Sequence, residues 1–384
     1  VRVLDFTRVL AGPFCTMILA DMGADVIKVE SLGGDETRQW GPPFDAHGRS
    51  AYYLSVNRNK RSLTLNLKSQ RGREIARQLA AQSHILVENF KPGGMAAFGL
   101  GYDDLRSLNP ALVYASITGF GQTGPYSERP GYDFVVQAMS GLMSITGEKD
   151  GAPSKVGVAI ADVIAGLFAA TSLLAALRHA EQTGQGQQLD ISLLDSQIAA
   201  LVNVASGALV SGATPARYGN AHPSIVPYQT FRAADAEFAL AVGNDRQFAQ
   251  LCQLIDYPEW AVDPRFATNP ARVQNRDLLV EMLSTIFITR PAAEWVERML
   301  ERGIPAGPLN TVSQILADPH VQARGLVQEI DLLRLVGSPV GFSQTPPTVR
   351  TPPPDLGEHT DAILHERLGL SDAEIDMYRN SGII

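Results

Sequence analysis

The opening of the chain limits the possible folds more than any other stretch. VRVLDF, an apolar run suited to a buried strand, leads into the turn Leu10-Ala11-Gly12-Pro13 and an apolar helical pattern from Pro13 to Met22. GADVIKVE then supplies a second strand that closes on Glu30. Proline suits the first turn of a helix, and Gly23 suits its end. Strand, helix and strand at this spacing make a βαβ unit. The pattern then repeats. SLTLNL, HILVENF, ALVYASITGF and QLDIS (Gln188 to Ser192) read as further strands, with helices expected over Gln70 to Ala81, over Tyr132 to Ser140, and from Asp162 to near Glu181. Such alternation predicts an α/β domain. An acid closing the second strand is also found in dinucleotide folds, but the phosphate fingerprint G-x-G-x-x-G is absent, so no nicotinamide cofactor is expected.

Near Gly219 the character changes, with GNAHPSIVPYQTF rich in Gly, Pro and Ser, and the hinge into a second domain is placed there. Its expected elements are a strand at Phe238 to Val242, a helix after Asn244-Asp245, a helix from near Asn275, and one introduced by Thr289 and Pro291 and stopped at Gly303. Thr345 to Pro354 reads as an extended proline-rich connector. Two short helices follow it, the last opened by the capping box Ser371 to Glu374.

At 384 residues the chain is long enough for two domains or more. Its formal charge of -8 argues against nucleic acid as a partner. Cys15 and Cys252 lie in apolar, helix-like patterns and are expected to be buried thiols in a reducing compartment, with no disulfide framework and no metal site. The longest apolar stretch, Ile164 to Leu177, reads as too short to span a bilayer, so no membrane partner is expected. No leader pattern precedes Val1, whose missing initiator Met suggests a trimmed start, and the expected location is cytoplasmic.

Three stretches carry chemistry. KVGVAIADVIAG places Asp162 between an apolar segment and the long helical pattern. A carboxylate, with a reference pKa of ~3.9, is ionised at neutral pH and acts as a nucleophile without a neighbouring base, provided its site is dry. The competing reading makes Asp162 the cap of the helix that follows. NRNKR, with Arg58, Lys60 and Arg61, reads as a solvated turn or as a cation cluster that holds nucleotide phosphates at a sheet edge. The strand HILVENF ends at Asn89-Phe90, where ligands of open α/β sheets bind.

RVLDFTRVLAGPFCT, GADVIKVE, NRNKRSLTLNLK, VENFKPG, GYDFVVQAMSG, KVGVAIADVIAG, GNAHPSIVPYQTF and PPPDLGEHTDAIL stand in the order of a class III CoA-transferase, and the whole chain resembles that family. The family includes formyl-CoA and carnitine CoA-transferases and the related α-methylacyl-CoA racemases. The resemblance implies an α/β fold with a large Rossmann-like CoA-binding domain over residues 1–212 and a smaller α+β domain over 213–310. Residues 311–384 would be a connector and a C-terminal segment returning to the large domain, in an interlocked-ring homodimer. It implies acyl-CoA and a small carboxylic acid as substrates, with CoA carried through an aspartyl anhydride and an aspartyl-CoA thioester on Asp162. CoA contacts would fall on Leu10, Ala11, Leu65, Asn66, Lys68, Asn89 and Phe90.

The chain also departs from formyl-CoA transferase. Ser31 and Ala97 stand where that enzyme has arginines, and Leu10 stands in place of a glutamine, which leaves Arg58, Lys60 and Arg61 as expected replacements for the CoA phosphates. Gly219 to Ser224 takes the place of a glycine-run loop, making His222 and Ser224 candidates for the acceptor carboxylate. Racemases of the family have a histidine where this chain has Tyr132, and a phenol is a poor base at neutral pH, so transfer is expected over racemisation or a non-catalytic CoA-binding dimer. Asp133 is either a substrate-positioning acid or the cap of the helix that starts there. The wording SIVPYQTF most resembles members that move CoA from succinyl-CoA to glutarate-type dicarboxylates.

Overall fold

A parallel sheet of six strands organises the first part of the molecule: β1 Arg2–Asp5, β2 Asp25–Glu30, β3 Lys60–Thr64, β4 Ile85–Glu88, β5 Val113–Thr118 and β6 Gln188–Ser192, in the order β3-β2-β1-β4-β5-β6. The order reverses between β1 and β4, and the crevice outside the carboxyl ends at such a point is where open α/β sheets take ligands. Because successive strand residues face opposite ways, Val3, Val26, Val87 and Ala115 build one core, while Leu4, Ile27, Leu86 and Tyr114 build the other. A computed structural model describes residues 1–384. They divide into one unit of Val1–Met143, Lys155–Ala213 and Pro319–Ile384 and a second of Ser144–Ser154 and Thr214–Asp318.

On the first face of the sheet lie helix α1, Ala11–Asp21, and a long helix, Ile160–Thr183. The long helix turns small residues inward, among them Ala161, Ala165, Ala169, Ala176 and Ala180, so its backbone sits close to its neighbours. Gly166 makes the closest approach: a Cβ there would lie 2.7 Å from the carbonyl oxygen of Ala11 and 3.1 Å from the Phe14 ring. This helix is 24 residues long, two residues beyond the expected span at each end, and, against the expectation drawn from its Ile164 to Leu177 core, it is by length and composition apolar enough to cross a bilayer. Its buried face packs on the sheet and α1 as a core helix does, while Leu167, Phe168 and Leu174 remain exposed.

The opposite face is covered by helix Gln70–Ala81, which spans the residues expected and is capped by the Ser69 hydroxyl accepting from Gly72 N. The C-terminal helices Thr360–Leu368 and Asp372–Asn380 complete that core through Ile363, Leu364, Ile375 and Tyr378, and Ile384 is buried with them. Ser371 and Glu374 cap the last helix reciprocally. Asn66, just beyond β3, donates its backbone N–H to the Ile383 carbonyl at 2.8 Å and its side-chain amide to the Gly382 carbonyl at 3.0 Å.

In the second unit β7 Tyr228–Arg232, β8 Glu237–Ala241 and β9 Ala306–Pro308 form an antiparallel sheet. Helices Asp245–Leu254, Arg276–Phe287 and Ala292–Glu301 add their apolar faces to a core that includes Phe231, Phe238, Phe287 and Trp295. Residues 144–154, expected in the large domain, belong here. Arg217 donates to the carbonyls of Ser144, Glu148 and Gly151 at 3.1, 3.3 and 2.7 Å, a tie the local sequence does not announce. The hairpin β10 Val327–Ile330 and β11 Leu333–Val336, in the first unit, was also not expected. Its turn residues Asp331 and Leu332 both have positive φ without the Asn-Gly or Asp-Gly pair that usually signals such a turn.

Candidate active site

Asp162 is the third residue of the long helix, and the residue before that helix, Ala159, offers no side-chain cap. The cap comes from elsewhere. Asp133, the first residue of helix Asp133–Met139, accepts the Ala161 N–H on Oδ1 at 2.8 Å and the Gln137 amide on Oδ2 at 2.8 Å. Neither sequence reading of a cap therefore holds: Asp162 does not cap its own helix, and Asp133 caps a different helix from the one it begins. Two glycines allow this. Gly119 after β5 and Gly131 before Tyr132 lie backbone to backbone, where a Cβ on either would come within 2.6 Å of the other's Cα.

The Asp162 carboxyl is thus free of capping duty and partly buried. Burial, and then the charge of Asp133, push its pKa up to about 7. This corrects the expectation of a permanently ionised group, since near neutral pH the protonated and ionised forms coexist. Tyr52, on the short helix Ala51–Ser55, responds to the same field: burial and the charges of Asp162 and Asp133 push its phenol up to about 12. Its ring meets Trp40 edge-on, with centroids 5.0 Å apart. Sequence reading missed Tyr52, because nothing in SAYYLS marks one tyrosine as facing an acid more than a hundred residues away.

Two neighbouring cavities open at the carboxyl ends of the strands. One, of about 330 Å³, has Asp162 in its wall together with Leu10, Ala11, Asn89, Phe90 and Tyr132. Leu10 and Ala11 stand at the start of α1, where the first N–H groups of a helix have no intrahelical partner and Leu10 provides no side-chain cap. Tyr132 is 59% exposed. The other cavity, of about 520 Å³, is lined by Leu65, Asn66, Lys68 and again Phe90. The structure therefore brings the expected residues of the first unit together in these walls, apart from Asp133, which acts through the Ala161 N–H, and the basic cluster.

The basic cluster is a correction. β3 begins at Lys60, upstream of the expected strand, so the sheet draws its cations inward. Arg58 forms a fork with Asp21 at 2.6 and 3.0 Å and donates to the Val336 carbonyl. The Lys60 ammonium is fully buried on Asp5, the Pro13 carbonyl and Asn57 at 3.1, 2.9 and 3.0 Å, and burial pulls its pKa to about 8. Arg61 pairs with Asp25 and with Glu366. All three lie outside the cavity walls and hold the fold. Glu30, the acid at the end of β2, is likewise engaged, by Arg38 at 2.9 and 2.7 Å and by Ser62 at 2.7 Å.

Asn89 reaches the wall, but its amide serves the β1–α1 turn, accepting from Arg8 N at 3.0 Å and donating to the Arg8 carbonyl at 2.7 Å. The Phe90 N–H is held at 2.8 Å by Glu88, a buried carboxyl that burial pushes up to about 7. His222 and Ser224 lie in the second unit. There the His222 Nδ1 accepts the Ser224 N–H at 3.1 Å, which in the neutral ring leaves the proton on Nε2. Arg276 fixes this loop by donating to the His222 and Pro223 carbonyls. The walls also carry four cations: Lys68, Lys91, Arg129, which stacks on the Tyr126 ring at 3.7 Å, and Arg8, whose nearest acid is Glu36 at 4.0 Å; sequence reading singled out only Lys68.

Residues 1–360 match the family described as CoA-transferase family III. Succinate–glutarate CoA-transferase of Agrobacterium fabrum is 47% identical over 377 residues, covering 95% of this chain and 94% of that protein. Succinyl-CoA:glutarate CoA-transferase of Homo sapiens is 44% identical over 390 residues, covering 100% of this chain and 89% of that protein. The crystal structure of a CaiB/BaiF family protein from Brucella suis superposes with a TM-score of 0.87 at 44% identity, covering 96% of this chain and 98% of that one.

Proposed function

The chain belongs to CoA-transferase family III, and from that membership we propose that it moves CoA from an acyl-CoA donor to a carboxylic acid by way of Asp162. The observation that carries the mechanism is the placement of Asp162: a carboxyl relieved of capping by Asp133, with no hydrogen bond in the protein, in the wall of a cavity at the sheet's switch point. An ionised Asp162 oxygen attacks the donor thioester carbonyl, forming a mixed anhydride and expelling CoA thiolate. The thiolate then attacks the aspartyl carbonyl, giving an aspartyl-CoA thioester and releasing the donor acid. The acceptor carboxylate attacks that thioester, and the thiolate, released again, takes the acyl group from the second anhydride and restores Asp162. Water and redox partners take no part. Each tetrahedral species carries an oxyanion; Leu10 and Ala11, at the start of α1, line the same cavity, and their N–H groups are proposed as its donors, such groups contributing about 3 kcal/mol each.

Short dicarboxylates are the proposed acids, in keeping with the names of the relatives in Agrobacterium fabrum and Homo sapiens. His222, through Nε2–H, and the Ser224 hydroxyl are proposed to meet the acceptor. A homodimer is proposed as the working form. It is supported by apolar side chains left uncovered on the long helix and on helix Val202–Ser211, where Leu209 and Val210 are almost wholly exposed. A cytoplasmic location belongs to the same reading.

Hydroxylamine trapping tests it. Incubation with succinyl-CoA and hydroxylamine is expected to inactivate the enzyme and leave a hydroxamate on the peptide containing Asp162. The variant Asp162→Asn should lose transfer by ~10³-fold or more, the scale on which removal of a nucleophile acts. CoA transfer at the wild-type rate by that variant would sink the assignment. Exchange of the α-proton without trapping would identify a racemase.

A further inference from the structure

The two cavities have two wall residues in common, Arg8 and Phe90. Coenzyme A has a matching plan: an adenosine end, a pantetheine arm that carries the thioester, and a diphosphate between them. If Asp162 is the nucleophile, an assumption this inference takes from the proposed function, the thioester lies in the cavity that Asp162 lines. The nucleotide then occupies the other cavity, and the diphosphate crosses the seam. The geometry points to Arg8 as the residue that binds the CoA diphosphate.

The backbone around Arg8 is held at every peptide, while its side chain is not. Thr7 N donates to Asp5 at 2.9 Å, and the Thr7 carbonyl accepts from Lys28 at 2.8 Å. Arg8 is clamped at both its N–H and its carbonyl by Asn89. Val9 has φ 69°, a left-handed conformation unfavourable for a β-branched residue, and its N–H faces Asp35 at 3.4 Å. Strain of this kind persists only where surrounding contacts over-determine it, and it concentrates at ligand clamps. What the clamp fixes is the direction in which Arg8 leaves the turn.

The guanidinium itself makes no hydrogen bond. Its side chain is 51% exposed, and its only ionic neighbour, Glu36, stands at 4.0 Å, beyond hydrogen-bond reach. Of the acids nearby, Glu30 is neutralised by Arg38 and Asp35 by the buried Lys28, which leaves Glu36, in the same wall, as the one carboxylate that an incoming anion displaces from Arg8. A guanidinium recognises phosphate oxygens through two parallel N–H donors, and one whose donors make no hydrogen bond at this junction is the fit for a diphosphate.

Calorimetric titration of the full chain with CoA, dephospho-CoA and pantetheine tests the assignment. Arg8→Gln is expected to weaken CoA and dephospho-CoA by the same factor, about 10- to 100-fold for a charge-assisted contact, and to leave pantetheine binding unchanged. Arg8→Lys should fall between, since a point charge remains without the fork. Unchanged CoA affinity in Arg8→Gln overturns the inference. So does a loss for CoA that dephospho-CoA does not share, which would place Arg8 on the 3′-phosphate, and so does an equal loss for pantetheine. Absence of binding of all three ligands by the wild type would instead overturn the proposed function on which the inference stands.

Discussion

The proposed attack on a thioester uses Asp162 in its ionised form, so a pKa raised to about 7 gives the proposed reaction a pH dependence that an ordinary aspartate lacks. With its pKa raised to about 7, kcat/KM for the acyl-CoA should climb as pH rises through 7 and level off above it. In Asp133→Asn the burial contribution, the larger of the two, persists and the like charge is gone, so the midpoint of that climb should move to lower pH while staying above the usual carboxylate range near ~3.9. Asparagine keeps a carbonyl for the Ala161 N–H, so the helix start survives the change. A midpoint that does not move would show that the Asp133 charge is not felt. Asp162 itself was legible as an acid between an apolar run and a helix. Its freedom from capping was not, because the partner that caps in its place is 28 residues from Ala161 and is brought there by tertiary packing of Gly119 on Gly131.

Among the elements, the contact between the long helix and α1 decides where the Asp162 carboxyl sits, since Gly166 lies one turn beyond Asp162 and touches the Ala11 backbone. In an exposed helix, glycine to alanine gains about 1 kcal/mol. Here the added carbon would meet a carbonyl oxygen, and overpacking of that kind costs about 1–3 kcal/mol. Gly166→Ala should therefore lower the melting temperature, and the outward shift of the helix should reduce kcat about tenfold, because displacements below 1 Å at a reacting group already cost rate. Gly166→Val should be worse on both measures. A melting temperature above that of the wild type would mean the two helices can part without strain. The sheet and its crossovers were readable from periodicity, since buried strands and helices carry continuous apolar patterns. The basic run was misread because its strand begins at Lys60, and a strand boundary displaced by a few residues turns solvated cations into buried ones.

For the molecule as a whole, the first unit is built from three separate stretches of chain, and its second core depends on the last of them. Ile375, 1% exposed, packs there with Ile363, Leu364 and Tyr378. Ile375→Ala is expected to cost about 2–5 kcal/mol, a large share of the ~5–15 kcal/mol that holds a typical domain together, and to weaken CoA binding through Asn66, which the Gly382 and Ile383 carbonyls beyond this helix hold. Denaturant unfolding and calorimetry on one preparation check both, and unaltered CoA affinity at reduced stability would separate this core from the cavity. That the proline-rich connector returns to the first unit followed from family resemblance. That residues 144–154 leave it did not, since only the Arg217 hydrogen bonds to their carbonyls mark the excursion. The pairing of Asn66 with Gly382, 316 positions later, also sets an order of events during translation. A ribosome that has delivered the whole sheet still holds a protein whose Asn66 lacks both its partners, so this wall of the larger cavity is completed only when synthesis has reached these late residues.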